Sequence, residues 1–182
     1  MRRFVVVSGL PGSGKSTLGA QLAEALGLRF LDKDAILESL FESRGTGDVA
    51  WRRALSRESD LIFRAEAEAS QGAVLVSHWH LAGMAVDSGT STDWISPQLG
   101  ALVHVHCVCP VEVAAHRFRA RRRHAGHLDV ERSEAEVVES FERVARLGRL
   151  GVEPCVEVDA SGPVAVEDLV RRIKETRGLS PV

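Results

Sequence analysis

The sequence predicts a three-layer α/β protein, a parallel β-sheet with helices on both faces. Three observations carry the prediction. Short apolar runs alternate with stretches of helical periodicity along the chain, the order that a parallel sheet with crossover helices requires. A glycine-rich turn, Gly9-Leu10-Pro11-Gly12-Ser13-Gly14-Lys15-Ser16-Thr17, lies between the first apolar run and the first helical stretch. It fits the phosphate-loop pattern G-x-x-x-x-G-K-[ST] in the strand–turn–helix context that gives the motif its meaning. Finally, no repeat or low-complexity linker interrupts the 182 residues, a length suited to a single domain over 1–182.

Each element follows from its local pattern. Residues 3–8, with Phe4 to Val7 continuously apolar, form a buried first strand, and 15–26 a helix carrying Leu18, Leu22, Ala25 and Leu26 at helical spacing. Residues 29–31 form a second short strand and 34–41 a short helix. After the loop Arg44-Gly45-Thr46-Gly47, a longer helix carries Trp51, Leu55, Ile62 and Ala69 on one face. Residues 73–77 make the third strand. The stretch 80–100 is irregular, rich in Gly, Ser and Thr, and long enough to be functional. Residues 101–107 make the fourth strand, and Pro110 opens a helix with Val111, Ala114, Ala115 and Phe118 on its apolar face. Ser133-Glu134-Ala135-Glu136 is a capping box ahead of Val137, Phe141 and Val144. Residues 155–158 are the fifth strand, and the last helix carries Val166, Leu169, Val170 and Ile173.

Composition narrows the function classes. Charged residues make up 26% and the net charge is −2, which speaks against a dedicated nucleic-acid binder while leaving a local basic patch open. No apolar run approaches a membrane span, and the apolar stretch after the basic N-terminus stops at Val7, so a cytoplasmic protein with no membrane partner is expected. Cys107, Cys109 and Cys155 are too few and too irregular for a disulfide framework, and read as free thiols.

The chemistry begins at the phosphate loop. Glycines let the backbone curl so that its N–H groups point at phosphate oxygens, and the helix N-terminus adds partial positive charge. Gly12, Ser13, Gly14, Lys15, Ser16 and Thr17 are therefore the expected nucleotide cradle. Lys15 reaches the β- and γ-phosphates and the Ser16 hydroxyl holds Mg²⁺.

Asp32 and Asp34 end the second strand, and acids two apart on a strand point the same way. They suit orientation of Mg²⁺ and acceptance of a proton from an attacking hydroxyl, with Asp34 as the base; capping of the next helix is the structural alternative for Asp34. The third strand leads into Ser77-His78-Trp79-His80 with no aspartate to steady the metal there. That leaves Asp32 for the metal, and His78 and His80 to meet the acceptor.

Arg117, Arg119, Arg121, Arg122 and Arg123 continue a helix into His124-Ala125-Gly126-His127. This suits a mobile lid over about 117–130 whose guanidinium groups stabilise migrating phosphate, with Arg117 and Arg121 on one helical face and Arg123 beside them. A solvated basic helix face is the bland alternative.

On these residues the chain resembles the small phosphate-loop kinases, a group that includes gluconate kinase, shikimate kinase, the chloramphenicol phosphotransferases and the kinase module of polynucleotide kinase. The loop at 9–17 and the position of Asp34 match the family pattern, and the lid is similar to members carrying H-P-G-H, from which Ala125 departs. The resemblance implies a P-loop NTPase fold with a five-stranded sheet of order 2-3-1-4-5 and an arginine-rich lid. It also implies ATP and Mg²⁺ as cofactors, and Ser161, Gly162 and Pro163 beside the nucleotide base. In that sheet the first strand separates His78 and His80 from His104 and His106 by about 10 Å, which argues against one zinc site.

The resulting expectation is an ATP-dependent kinase acting on a hydroxyl of a small polar molecule bound by residues 43–70 and 78–100. A polynucleotide or nucleoside kinase is the alternative that the arginines keep open. A non-catalytic nucleotide-binding regulatory module is the alternative from another class.

Overall fold

Phe4, Val5, Val6 and Val7 are wholly shielded from solvent, and this run is the centre of the molecule. It forms β1 (Arg3–Gly9), flanked on one side by β3 (Gly72–Val76) and on the other by β4 (Ala101–Val108). The outer strands are β2 (Arg29–Asp32) beside β3 and β5 (Cys155–Asp159) beside β4. All pairings are parallel and the order is β2-β3-β1-β4-β5, as the family resemblance implied. The structure, a computed structural model, describes residues 2–128 and 132–176.

Side-chain alternation along β1 divides the core. Val5 and Val7 face a layer formed by α1 (Lys15–Leu26) and α6 (Val166–Glu175), through Leu18, Leu22, Leu169 and Ile173. Phe4 and Val6 face α3 (Val49–Ala69), through Phe63 and Ala67. Two satellite clusters build the rim of the site. Leu37, Leu40 and Phe41 of α2 (Lys33–Arg44) pack on Leu55 of α3. Ala114, Ala115 and Phe118 of α4 (Val111–Ala120) pack on Val137 and Phe141 of α5 (Glu134–Arg146), with Leu10 of the phosphate loop against them.

Local signals account for the termini. The Ser133 hydroxyl accepts from the Glu136 amide while the Glu136 carboxylate takes the Ser133 amide, the expected capping box of α5. Gly27 closes α1 in the left-handed region at φ 63°.

Two expectations are corrected. The buried face of α3 is Leu55, Ser59, Phe63 and Ala67, four apart, while Trp51 stays 40% exposed. The expected residues do share one stripe, but the buried stripe is centred further round the helix, and Leu55 belongs to both. Trp79 is part of the core: it is 3% exposed, donates its indole N–H to Val7 O and packs on Phe63.

The arginine stretch is not one helix. α4 ends at Ala120, and Arg121 is its extended C-cap at φ −79°, ψ 140°. Extension lets residues two apart share a side, so Arg121 and Arg123 both lie over the Phe118 ring, 5.1 and 5.8 Å from its centroid. A single turn of 3-10 helix, Ala125–His127, follows. Asp129 and Val130, the end of the expected lid, lie outside the described residues. Among the described residues no helix is long and apolar enough to cross a membrane.

Candidate active site

The phosphate loop connects β1 to α1, and its shape depends on glycine at two close approaches. A Cβ on Gly12 would sit 2.1 Å from Ala114 O, and one on Gly9 would sit 2.7 Å from Ser13 Oγ and 2.8 Å from Cys107 O. Gly14, at φ 88°, begins α1 without any side-chain cap, and no acid occupies the first turn. The helix N-terminus therefore keeps its partial positive charge and its unpaired N–H groups for an anion. Ser13 Oγ is buried with no partner among the described residues. Among the described residues the Lys15 ammonium donates to Leu10 O, at 3.4 Å. Burial pushes its pKa down, against the pull of Asp34, and Arg121 adds to the lowering. An orphaned hydroxyl, an uncapped helix and a lysine with one long hydrogen bond are what a phosphate cradle requires.

The two acids divide their roles, and not through strand alternation. Asp32 is the N-cap of α2, with Oδ1 accepting from the Asp34 amide at 2.9 Å. Burial raises the Asp32 pKa, while the Ser16 hydroxyl beside it works the other way. Asp34, one residue inside α2, is thus not the cap, which frees its carboxylate for the crevice. Its side chain is 45% exposed and its Oδ2 accepts from Arg123 at 2.6 Å. Burial favours the neutral acid, but Arg123, then Lys15, His127 and Lys33 outweigh it and hold the pKa below the ordinary carboxylate range. Asp34 is ionised at neutral pH.

Mg²⁺ fits this corner. Ser16 and Asp32 are adjacent hard oxygen donors beside the phosphate cradle, and Mg²⁺ is held elsewhere by one or two such groups plus phosphate and water.

The lid segment docks on α2. His127, 3% exposed, meets Glu38 Oε1 through Nε2 at 2.8 Å, and His124 stacks on Phe41 with centroids 5.3 Å apart. Gly126 lies so close to the Phe41 ring that a Cβ there would stand 2.6 Å from it. Together these contacts deliver Arg123 to Asp34.

Of the residues singled out in the sequence, the fold gathers Lys15, Ser16, Asp32, Asp34, Arg121, Arg123 and His78. His78 carries the charge influence of Lys15, Asp34, Lys33 and Arg123, but burial is the largest cause that brings its pKa down to about 4, so it is neutral. Two expectations are not met in placement. Arg117 does not share a face with Arg121 over the phosphates; its guanidinium donates to Ala160 O at 2.7 Å and to Ser161 O, clamping the turn after β5. It thereby braces the Ser161-Gly162-Pro163 stretch. His80 bonds Ser88 O through Nδ1 at 2.7 Å and serves the shape of its own loop.

Other groups were not legible as site residues. Lys33, 8% exposed, donates to Ser56 Oγ at 2.7 Å and lies 3.6 Å from Asp60. Asp60 accepts from Thr90, whose hydroxyl also meets Ser77, so α3 is tied to the loop after β3. Arg52, whose charge lowers the Lys33 pKa, keeps a buried Nε with no partner among the described residues. The only sequence hint was a lysine between two acids; its partners lie a helix away.

His104 and His106 both bond Ser8 Oγ, at 2.7 and 2.8 Å. Ser8, Leu10, His78, His106, Arg149 and Glu157 line a cavity of about 350 Å³ under the C-terminal end of α5.

Comparison with known proteins agrees with this arrangement. The pattern of a family described as an AAA domain matches residues 4–147. The structure of a candidate kinase from Chloroflexus aurantiacus j-10-fl superposes with a TM-score of 0.80 at 25% identity, covering 97% of this chain and 99% of that one. A shikimate kinase from Mycobacterium ulcerans is 34% identical over 110 residues, 60% of this chain and 54% of the relative. A cytidylate kinase from Ignicoccus hospitalis is 31% identical over 121 residues, 64% of this chain and 63% of the relative. The matches thus span less than two thirds of these curated relatives.

Proposed function

The chain belongs to the AAA domain family, and from that premise we propose that it is a small P-loop kinase that transfers the γ-phosphoryl group of ATP to a hydroxyl of a small polar molecule, acting as one domain. The observation that carries this reading is the Asp34 carboxylate: ionised, 45% exposed, and aimed at the crevice because Asp32 does the capping.

In the mechanism, the backbone of 12–17 and Lys15 bind the phosphates, and the helix dipole of α1 draws them in. Ser16 and Asp32 would hold Mg²⁺, which would supply neutralisation of charge on the phosphate oxygens. Asp34 orients the acceptor hydroxyl and takes its proton as the oxygen attacks. Arg123 and Arg121 face the migrating group, whose charge is spread over its oxygens, so fixed cations contribute most of the catalysis. Arg117 acts at the other end of the nucleotide, holding the turn that borders the base.

A nucleotide or nucleoside acceptor is the second reading, supported by the similarity to a cytidylate kinase and by a hollow of about 240 Å³ lined by Arg119, Arg121, Arg123 and Arg132.

The test is an ADP-release screen of hydroxyl compounds, nucleosides and a 5′-hydroxyl oligonucleotide with MgATP, using Lys15→Ala as the blank. Turnover on a small hydroxyl compound supports the leading reading. Preference for the oligonucleotide, weakened steeply by salt, replaces it. Stoichiometric ATP binding without turnover on any acceptor favours a regulatory module.

A further inference from the structure

The cavity under α5 is not explained by phosphate chemistry. Its floor is the C-terminal edge of the sheet on the α3–α5 face: Ser8 of β1, His106 of β4 and Glu157 of β5. Leu10 at the start of the phosphate loop and His78 after β3 form its inner wall. His78 is also the residue on which the charges of Lys15 and Asp34 act, so the cavity and the transfer point share this wall.

Two features mark the cavity as built for a ligand. Ser8 joins the fully buried His104 to His106 in one hydrogen-bonded row. A strand position facing the core is more cheaply filled by an apolar side chain, since a buried polar group stabilises nothing unless it is paired. The row fixes the His106 ring at the cavity edge. The second feature is charge. Among the described lining residues the one cation, Arg149, is engaged by Glu153 at 2.7 Å and lies 3.6 Å from Glu157. Lys15, Lys33, Arg52 and Arg123 do not line the cavity. Burial lowers the pKa of both His78 and His106, so both imidazoles are neutral, and with its Nδ1 bonded to Ser8 the His106 ring presents Nε2 to a ligand.

Resting on the kinase reading above, we propose that this cavity receives the body of the acceptor, a ring-sized polyhydroxy or amino-polyhydroxy compound without negative charge, with one hydroxyl passing His78 toward Asp34. The neutral imidazoles and Glu157 pair with hydroxyls and ammonium groups, and Leu81 and Val144 cover the ring edges. A carboxylate or phosphate on the body would meet Glu157 with no uncommitted cation among the described lining residues.

The test uses the full chain with ¹⁵N-labelled histidine, its imidazole signals assigned with His106→Gln and His78→Gln. The probes are glucose, glucosamine and glucuronate, matched rings that differ in charge. Glucose and glucosamine should move the His106 and His78 signals and bind about tenfold or more tighter than glucuronate, as one like-charge contact in a partly screened site predicts. Ala145→Trp, at the exposed α5 rim of the cavity, should abolish these shifts and leave ADP affinity unchanged. The proposal is overturned if glucuronate binds tightest, if Arg52→Ala abolishes binding while Ala145→Trp does not, or if no probe moves His106. Failure of the kinase reading is recognised separately: His106 responds, yet ATP is transferred to no hydroxyl.

Discussion

Replacing Asp34 by Asn separates chemistry from folding at the position where the structure divides two neighbouring acids. The amide keeps the size of the side chain and loses the proton-accepting charge, which at neutral pH is fully present because Arg123 and Lys15 hold the carboxyl ionised. The whole general-base contribution is therefore removed, about 10²- to 10⁴-fold in acceptor turnover. Stability should change little. The pair with Arg123 is half-exposed on the Asp34 side, in the range where such pairs contribute about 0–1 kcal/mol. Asp32→Ala is the control for stability alone, since it removes the N-cap of α2 and should cost about 1 kcal/mol. Coupled ADP release with the identified acceptor, nucleotide titration and urea melts on both variants make the test. The reasoning is refuted if Asp34→Asn loses less than about threefold in turnover, or if it destabilises the fold more than Asp32→Ala does.

Four shorter predictions accompany it. Lys15→Ala should abolish transfer with a normal melt, because the hydrogen bond it removes, to Leu10 O, is long at 3.4 Å; near-normal turnover would remove the loop assignment. Gly12→Ala places a Cβ 2.1 Å from Ala114 O at φ 81° and should destabilise the fold by about 1–3 kcal/mol while nucleotide binding is lost; a variant that binds ADP normally contradicts the cradle geometry. Arg117→Ala should weaken nucleotide binding through the loosened Ala160–Ser161 turn and leave the acceptor Michaelis constant unchanged; the reverse pattern would return Arg117 to the phosphates. His104, whose pKa burial lowers to about 4, binds fewer protons folded than unfolded below the ordinary imidazole value of 6.5. Its contribution is complete above that value and fades as pH falls toward 4, so the urea midpoint should drop across this window and less steeply in His104→Gln.

Much of this molecule was legible because the information is local. The phosphate loop is nine consecutive residues whose glycines, lysine and hydroxyl each have a geometric task, so strand, turn and helix could be read together at 3–26. The capping box at Ser133 and the apolar spacing of α1 were equally self-contained. Strand order came from the family resemblance, and periodicity alone was silent on it.

What tertiary structure decided lies in pairs far apart in the chain. Arg123 reaches Asp34 across 89 residues only because α4 stops at Ala120 and the lid docks on Phe41. Arg117 went to the Ala160 carbonyl instead of the phosphates because β4 and β5 are neighbours, which sets the turn after β5 beside α4. Ser8, His104 and His106 became one row because β1 pairs with β4 in a register that sets Ser8 opposite His106. Lys33 found Asp60 through the packing of α2 on α3. A sequence pattern specifies which way a side chain leaves its own helix or strand; which partner stands there depends on how elements pair and where helices end, and those are settled by burial summed over the whole chain.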